Sequence, residues 1–266
     1  MNVIHIDDPD DPRISAYRDI RERDLVGRHG RFVCEGKIVL QILLSTARFP
    51  AESVLVLENR LAGLTTTLQG ADESLPVYVA SQPVMDRIVG FHIHRGVLAI
   101  GLPGAAKPPE EVLAGLSARA VVLVLVGISN HDNVGAIFRN AAAFGADFVL
   151  LDRTCCDPLY RKSTRVSVGA TLKVPFGFAD EAAAIPDLMA AHGFEQLALS
   201  PQGSLEIGEC RRADRLALWF GSEGEGLPQA LMSRLTTVRI AMAAGFDSLN
   251  VAAASAIALH RLGARG

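Results

Sequence analysis

The chain lacks the features that would carry a protein into or across a membrane. Its longest apolar runs, near Ala120–Val126 and Val251–Leu259, are about half the length needed to cross a hydrocarbon core. The acidic start, MNVIHIDDPDDP, has no positive flank ahead of an apolar stretch and does not read as a secretion signal, so a cytoplasmic location is expected. Cysteine is scarce: the four residues, Cys34, Cys155, Cys156 and Cys210, show no paired metal-ligand spacing and read as free thiols of a reducing compartment. His92 and His94 form a lone alternating pair, and no metal centre is expected. An excess of positive charge is also missing, because the net charge of -3 gives no support to nucleic-acid binding as a global property. The lysine and Ser/Thr of a phosphate loop are absent, as are the glycine spacing and acidic ribose partner of a dinucleotide fold, which argues against an oxidoreductase.

What is present is a globular composition, 49% hydrophobic and 21% charged over 266 residues, enough for two ordinary domains or one large one. Charge is uneven. Arg13, Arg18, Arg21, Arg23, Arg28, Arg31 and Lys37 fall in one short stretch against four carboxylates. Such a patch suits RNA phosphates, or equally a solvated face laced with ion pairs. Residues 1–105 read as a small α/β unit: a helix over Ile14–Leu25, strands at Arg31–Cys34, Ser53–Leu57, Pro76–Ala80 and Gly96–Ile100, and helices at Lys37–Ser45 and Gln82–Ile88. Prolines, glycines and small residues then mark 106–119 as a linker.

From residue 120 to 266 the pattern is denser. Val121–Val126 is a continuous apolar run, as expected of a strand buried on both faces of a parallel sheet. Strands at Phe148–Leu151, Gln196–Leu199, Leu216–Phe220 and Thr237–Ile240 alternate with helices at Val134–Phe144, Glu181–His192, Leu227–Leu235 and Ser248–His260. This is an α/β domain with a mostly parallel sheet covered on both faces. Ligands of such sheets bind beyond the carboxyl ends of the strands. There the sequence is unusual. GISNHDNVGAIFRN (127–140) carries Asn133, which could cap a helix, and Arg139, which could simply pair with Asp147. FGSEGEGLP (220–228) has three glycines in six residues beside Glu223, an arrangement suited to a polar, partly cationic small molecule. IAMAAGFDSLNVAAASAIALH (240–260) places Ser248 as a helix cap with Leu249 and Asn250 in the first turn, ahead of small residues that permit close packing. The three together imply a pocket without naming its chemistry.

Taken in order and spacing, NVGAIFRNAAAFGAD (133–147), WFGSEGEGLP (219–228) and IAMAAGFDSLNVAAASAIAL (240–259) resemble the SpoU/TrmH family of SPOUT methyltransferases. DPLYRKSTRVSVGATLKVPF (157–176) is similar to the family's intervening region. RFVCEGKIVLQILL (31–44) and PVYVASQPVMDRIVGFHIHRGVLAIG (76–101) resemble its L30e-like substrate-binding domain. The likeness spans about residues 13–262. The chain departs from the family at Ala241, where proline is common, and at Ala252, where serine is frequent.

The resemblance implies a deep trefoil knot near the C-terminus and S-adenosylmethionine as cofactor. It further implies a homodimer through the knotted domain and RNA, ribosomal or transfer, as partner, with no membrane and no metal. Cofactor contacts would fall on Leu199, Ser200, Gly221, Glu223, Ile240, Met242, Ser248 and Leu249. The implied activity is transfer of a methyl group to a ribose 2'-hydroxyl. Arg139 would be the principal catalytic residue, Asn133 would position it or the ribose, and Glu223, Ser248 and Asn250 would serve the site. RNA would meet Arg18, Arg21, Arg28, Arg31 and Lys37. A non-catalytic RNA-binding or assembly factor and a base-methylating enzyme of the same fold are the competing readings.

Overall fold

The computed structural model describes residues 2–18, 20, 25–26, 29–245 and 247–263. In chain order its main elements are β1 (Asn2–Ile6), β2 (Phe32–Glu35), α1 (Lys37–Ser45), β3 (Ala51–Leu57), β4 (Pro76–Ala80), α2 (Gln82–Val89), β5 (Val97–Gly101), α3 (Pro109–Gly115), β6 (Ala120–Leu125), α4 (His131–Phe144), β7 (Phe148–Asp152), α5 (Arg161–Val166), β8 (Phe176–Ala179), α6 (Ile185–Ala191), β9 (Glu195–Leu199), β10 (Leu205–Glu206), β11 (Arg215–Phe220), β12 (Thr236–Arg239) and α7 (Val251–Leu262). They fall into two compact units, Met1–Ala105 with Asp157–Lys173, and Ala106–Cys156 with Val174–Gly266.

The first unit is a five-stranded sheet in the order β1-β4-β3-β5-β2. β1, β4 and β3 run parallel, while β5 and β2 are antiparallel to their neighbours. Ile14, Tyr17, Leu55, Leu98, Met85 and Ile88 form its core. The buried Tyr17 hydroxyl hydrogen-bonds Ser53 at 2.8 Å, which satisfies both groups away from water. Of the helix expected over Ile14–Leu25, the described residues show a 3-10 helix, Pro12–Tyr17, ending at an extended Arg18, and helical backbone at Leu25, while residues 19 and 21–24 lie outside the described residues. Asp11 caps the 3-10 helix by accepting from the Arg13 amide. Strand β1 lacked a sequence signal because five residues at the start of the sequence, running into an acidic stretch, show little periodicity. Its pairing with β4 supplies the stabilisation instead.

The second unit is a seven-stranded sheet, β10-β12-β9-β11-β6-β7-β8, with every pairing parallel. β6 (AVVLVL) is buried at all six positions, which is why its apolar run does not alternate. Trp219 on β11 is fully buried in the core formed with Val124, Phe148, Met189 and Leu227. Residues 106–119 do not form a linker. Val112, Leu113 and Leu116 give α3 an apolar face, Leu113 is fully buried, and α3 packs on β8. The Arg215 guanidinium caps α3 by donating to the carbonyls of Leu113, Leu116 and Ser117.

Residues 157–173, expected within the C-terminal domain, cluster with the first unit. There α5 packs on β2, and Arg161 meets the buried Glu35 carboxylate at 3.2 Å. Gly169, at φ 80°, sits against Ile42 of α1, where a side chain would collide with Ile42 Cδ1. No helix among the described residues is long and apolar enough to cross a membrane.

Candidate active site

The loops at the carboxyl ends of β6, β9, β11 and β12 are built to hold one another. After β6, Gly127 turns at φ 72° and donates to Asp152 Oδ1 at 3.0 Å. That carboxylate, buried at the end of β7, also accepts from the Cys155 amide and the Thr154 hydroxyl. Ile128 N–H donates to Cys155 Sγ at 3.3 Å, and burial beside Asp152 pushes the Cys155 thiol pKa up, so the thiol serves structure. No local pattern in the sequence marks these anchors. They fix the turn that launches α4, whose cap is Asn130, accepting from Asp132 N–H, and not Asn133. The helix starts three residues earlier than expected because Asn130 stands one residue ahead of His131 with extended backbone.

The loop after β11 closes on itself through an isolated bridge between Ser222 and Gly226. At Gly221 a Cβ would lie 2.2 Å from the backbone of Gly226 and Leu227, so only glycine fits. The segment after β9 rides on β12. Ser200 N–H donates to Val238 O, Ser204 N–H to Thr237 Oγ1, and a Cβ at Gly203 would sit 2.3 Å from the Val238 carbonyl carbon.

Between these loops and the segment leading to α7 lies a cavity of about 570 Å³, the size of a small-molecule cofactor site. All eight residues expected at the cofactor, Leu199, Ser200, Gly221, Glu223, Ile240, Met242, Ser248 and Leu249, line it, as does Asn250. Apolar wall comes from Leu199, Leu227, Val238, Ile240, Met242 and Leu249. Three lining residues are carboxylates, Glu223, Glu225 and Asp247, and among the described residues none is lysine or arginine. The charge balance favours a cationic ligand with an apolar body and disfavours a phosphorylated one. S-adenosylmethionine, with its sulfonium, ammonium and adenine, fits that description.

Three of the expected catalytic residues are joined in one directional chain of hydrogen bonds. Asn250 is the N-cap of α7, its Oδ1 accepting from Ala252 N–H at 2.9 Å and Ala253 N–H at 3.3 Å. The cap falls there and not at Ser248, because Asn250 Oδ1 meets the free amides of the first turn. Ser248 stays exposed in the segment before the helix. With its oxygen engaged, Asn250 donates from Nδ2 to Asn133 Oδ1 at 2.9 Å. Asn133, 7% exposed, in turn donates from Nδ2 to Glu223 Oε1. The chain links a helix start, a buried amide and a glycine loop that are 117 and 90 residues apart. Seven residues along the same face of α4, Asn140 donates to Ala252 O at 2.8 Å and Ser255 Oγ at 3.0 Å, locking α4 against α7. Asn140 and Ser255 were not anticipated, since their pairing depends on how the two helices pack.

Arg139 stands apart from this chain. It is exposed on α4, and six residues from Asn133 it faces another way, rotated by roughly 240°. Among the described residues it makes no hydrogen bond, ion pair or ring contact, so Asn133 does not position it. The alternative pairing with Asp147 does not form either: that carboxylate accepts from Val121 N–H at 2.9 Å.

Of the cations expected to meet RNA, Arg21 and Arg28 lie outside the described residues. The other three are already engaged. Arg18 donates to Asp11 O and lies 3.6 Å from Asp10, Arg31 pairs with Glu52 at 2.6 Å, and Lys37 donates to Gly63 O at 2.7 Å. These pairs match the ion-paired face that the same stretch equally allowed. Among the described residues no group of His, Cys, Asp and Glu is placed to hold a metal. His92 instead meets Asp86 at 2.7 Å.

A parallel α/β sheet whose carboxyl-end loops wrap one another around a cofactor-sized cavity defines a cofactor-binding domain of the α/β class. A model of the SpoU rRNA Methylase family matches residues 120–260, and the chain belongs to that family. It is 40% identical to an uncharacterized tRNA/rRNA methyltransferase of Mycobacterium tuberculosis, over 98% of this chain and 91% of that one. Among solved structures, an RNA 2'-O ribose methyltransferase is similar at 26% identity and a TM-score of 0.78, with 97% of each chain covered. The AdoMet-bound rRNA methyltransferase of Sinorhizobium meliloti is similar at 22% identity and a TM-score of 0.77, again over 97% of each. The fold is the mostly parallel α/β fold of the SPOUT/TrmH knotted methyltransferases, as the sequence led us to expect.

Proposed function

We propose that this chain is an S-adenosylmethionine-dependent RNA methyltransferase that methylates a ribose 2'-hydroxyl. The observation that carries this reading is the acidic, apolar-walled cavity whose rim holds the Asn250–Asn133–Glu223 chain. S-adenosylmethionine, when bound, would supply an electrophilic methyl group to the ribose 2'-oxygen. Leu199, Ile240 and Met242 would hold the adenine, and the carboxylates of the rim would balance the cationic end. Asn133, Asn250 and Glu223 act as positioning residues. They hold the glycine loop and the start of α7 in one arrangement, so that alignment lowers the barrier. Ser248, exposed and lining the cavity, is placed to touch the reacting groups.

Arg139 is the catalytic residue in this reading. Its guanidinium stays charged, so it orients an RNA phosphate and stabilises charge developing on oxygen, and does not serve as a base. Being exposed and unpaired, it is available for that work. Two subunits form the enzyme, a reading supported by Ile257, 39% exposed on the outer side of α7. The first unit serves as the L30e-like RNA-binding domain, and ribosomal RNA is preferred over transfer RNA, in keeping with the family's name. A cytoplasmic enzyme meets these RNAs directly.

The test is incubation with methyl-labelled S-adenosylmethionine and unmodified total RNA, then digestion and nucleoside mass spectrometry. The expected product is a labelled 2'-O-methyl nucleoside, absent with Arg139→Ala, whose cofactor affinity stays at the wild-type level. A labelled base, or unchanged turnover in Arg139→Ala, would refute the assignment.

A further inference from the structure

The first unit carries an aromatic and basic surface outside the arginine stretch of residues 13–37. Glu35 is buried at the end of β2, where a lone carboxylate would be costly, and two arginines of α5 answer it: Arg161 at 3.2 Å and Arg165 at 3.8 Å. The Arg161 guanidinium also lies over the Phe91 ring, 4.9 Å from its centre. Phe91 is 40% exposed, an unusual state for a large aromatic in a chain whose other phenylalanines largely fill cores.

Residue 36, next to Glu35, is a glycine at φ 97°, and Arg95 lies across it. A Cβ there would stand 3.2 Å from the Arg95 Cδ and Nη1 atoms. Among the described residues Arg95 has no carboxylate partner. The loop that presents Phe91 and Arg95 is ordered from beneath: Asp86 accepts from Ile93 N–H at 3.2 Å and meets His92 at 2.7 Å. The exposed ring thus carries the Arg161 guanidinium, which shares the buried Glu35 carboxylate with Arg165, while Arg95 lies across the neighbouring Gly36 with no carboxylate of its own among the described residues.

We infer that this surface is a second RNA contact, in which an unpaired base stacks on Phe91 while Arg95 and Arg165 meet the flanking phosphates. The inference rests on the reading of the chain as an RNA methyltransferase and names the face of the first unit that grips the substrate. Every base has a π-face, so an exposed ring takes any unpaired nucleotide, and guanidiniums beside it supply stacking and charge together. A structured RNA with a splayed loop offers such a base, whereas a continuous duplex does not. Glu35 sets the geometry by holding two of the guanidiniums in place.

The test is filter binding of full-length protein to an unmodified ribosomal RNA transcript over a range of salt, with steady-state methylation in parallel. Phe91→Ala should weaken RNA binding about 5- to 100-fold. Arg95→Ala should weaken it and reduce the slope of log affinity against log salt by about one. Both variants should raise KM for RNA while leaving kcat and cofactor affinity unchanged, which also shows that they fold. Arg234→Ala, which removes an exposed arginine from the second unit, serves as the control for charge alone. RNA affinity within twofold of wild type in both Phe91→Ala and Arg95→Ala would overturn the inference, as would an equal loss in Arg234→Ala. A wild-type protein that binds the transcript but methylates no RNA would overturn the proposed activity and leave the surface to be judged by binding. Failure of the wild type to bind RNA at all would overturn both.

Discussion

Asn133→Asp is the sharpest probe of the site, because it changes almost no volume and reverses one hydrogen-bonding group. The introduced carboxylate still accepts from Asn250 Nδ2, but it can no longer donate to Glu223. It also sets two carboxylates side by side. Two unit charges about 4 Å apart repel by about 4 kcal/mol at an effective dielectric near 20. Glu223 is exposed, so water screens much of this, and a net penalty of about 1–3 kcal/mol is expected. Because the chain ties the glycine loop to the start of α7, that penalty falls on cofactor binding, as an affinity loss of about 5- to 150-fold.

The sign with pH follows. In the ordered state the repulsion raises the carboxyl at position 133 above the ordinary aspartate range. The ordered state then binds the extra proton. The deficit is therefore relieved at low pH, where that carboxyl is protonated, and grows as the pH rises through its raised titration range. Calorimetric titration with S-adenosylmethionine at pH 5 and pH 8 reads this directly, with wild type measured alongside. Glu223→Gln in the Asn133→Asp background should recover part of the lost affinity, since the new amide donates where the old carboxylate accepted. An Asn133→Asp variant that binds cofactor normally at pH 8, or a double variant no better than the single, would refute the hydrogen-bond chain.

Two further outcomes follow from local geometry. Gly221→Ala places a methyl group 2.2 Å from the backbone of Gly226 and Leu227, so the loop must shift and cofactor affinity should fall more than about tenfold. Calorimetry checks this, and wild-type affinity would show that the loop is not fixed by that contact. Hydrogen bonds from the Arg13 side chain and amide hold the Asp11 carboxyl down from 3.8 to about 2. Its contribution to stability is present above about pH 4 and lost as the pH falls toward about 2, so the Asp11 carboxyl carbon should titrate near 2 by NMR. A midpoint near 3.8 would refute the Asp11–Arg13 pairing.

The sequence by itself determined the buried strands of the second unit and the loops that follow them. A run such as AVVLVL can only be satisfied by burial on both faces, and glycines after a buried strand can only mark a tight loop, whatever the rest of the chain does. Local pattern marked the loops after those strands as a pocket, and the family resemblance named the cofactor residues from Leu199 to Leu249 within them. Tertiary structure decided which of those residues are partners. Asn133 looked like a helix cap or a neighbour of Arg139, yet it is spent between Asn250 and Glu223, and the cap expected at Ser248 falls on Asn250. It also decided that residues 109–115 are a packed helix and not a tether, and that Glu35 holds Arg161 across 126 residues of chain. Local periodicity records how each segment meets water or a core. Which side chain satisfies another across a hundred residues depends on how the sheets are ordered and how the helices lie on them, and no local pattern carries that.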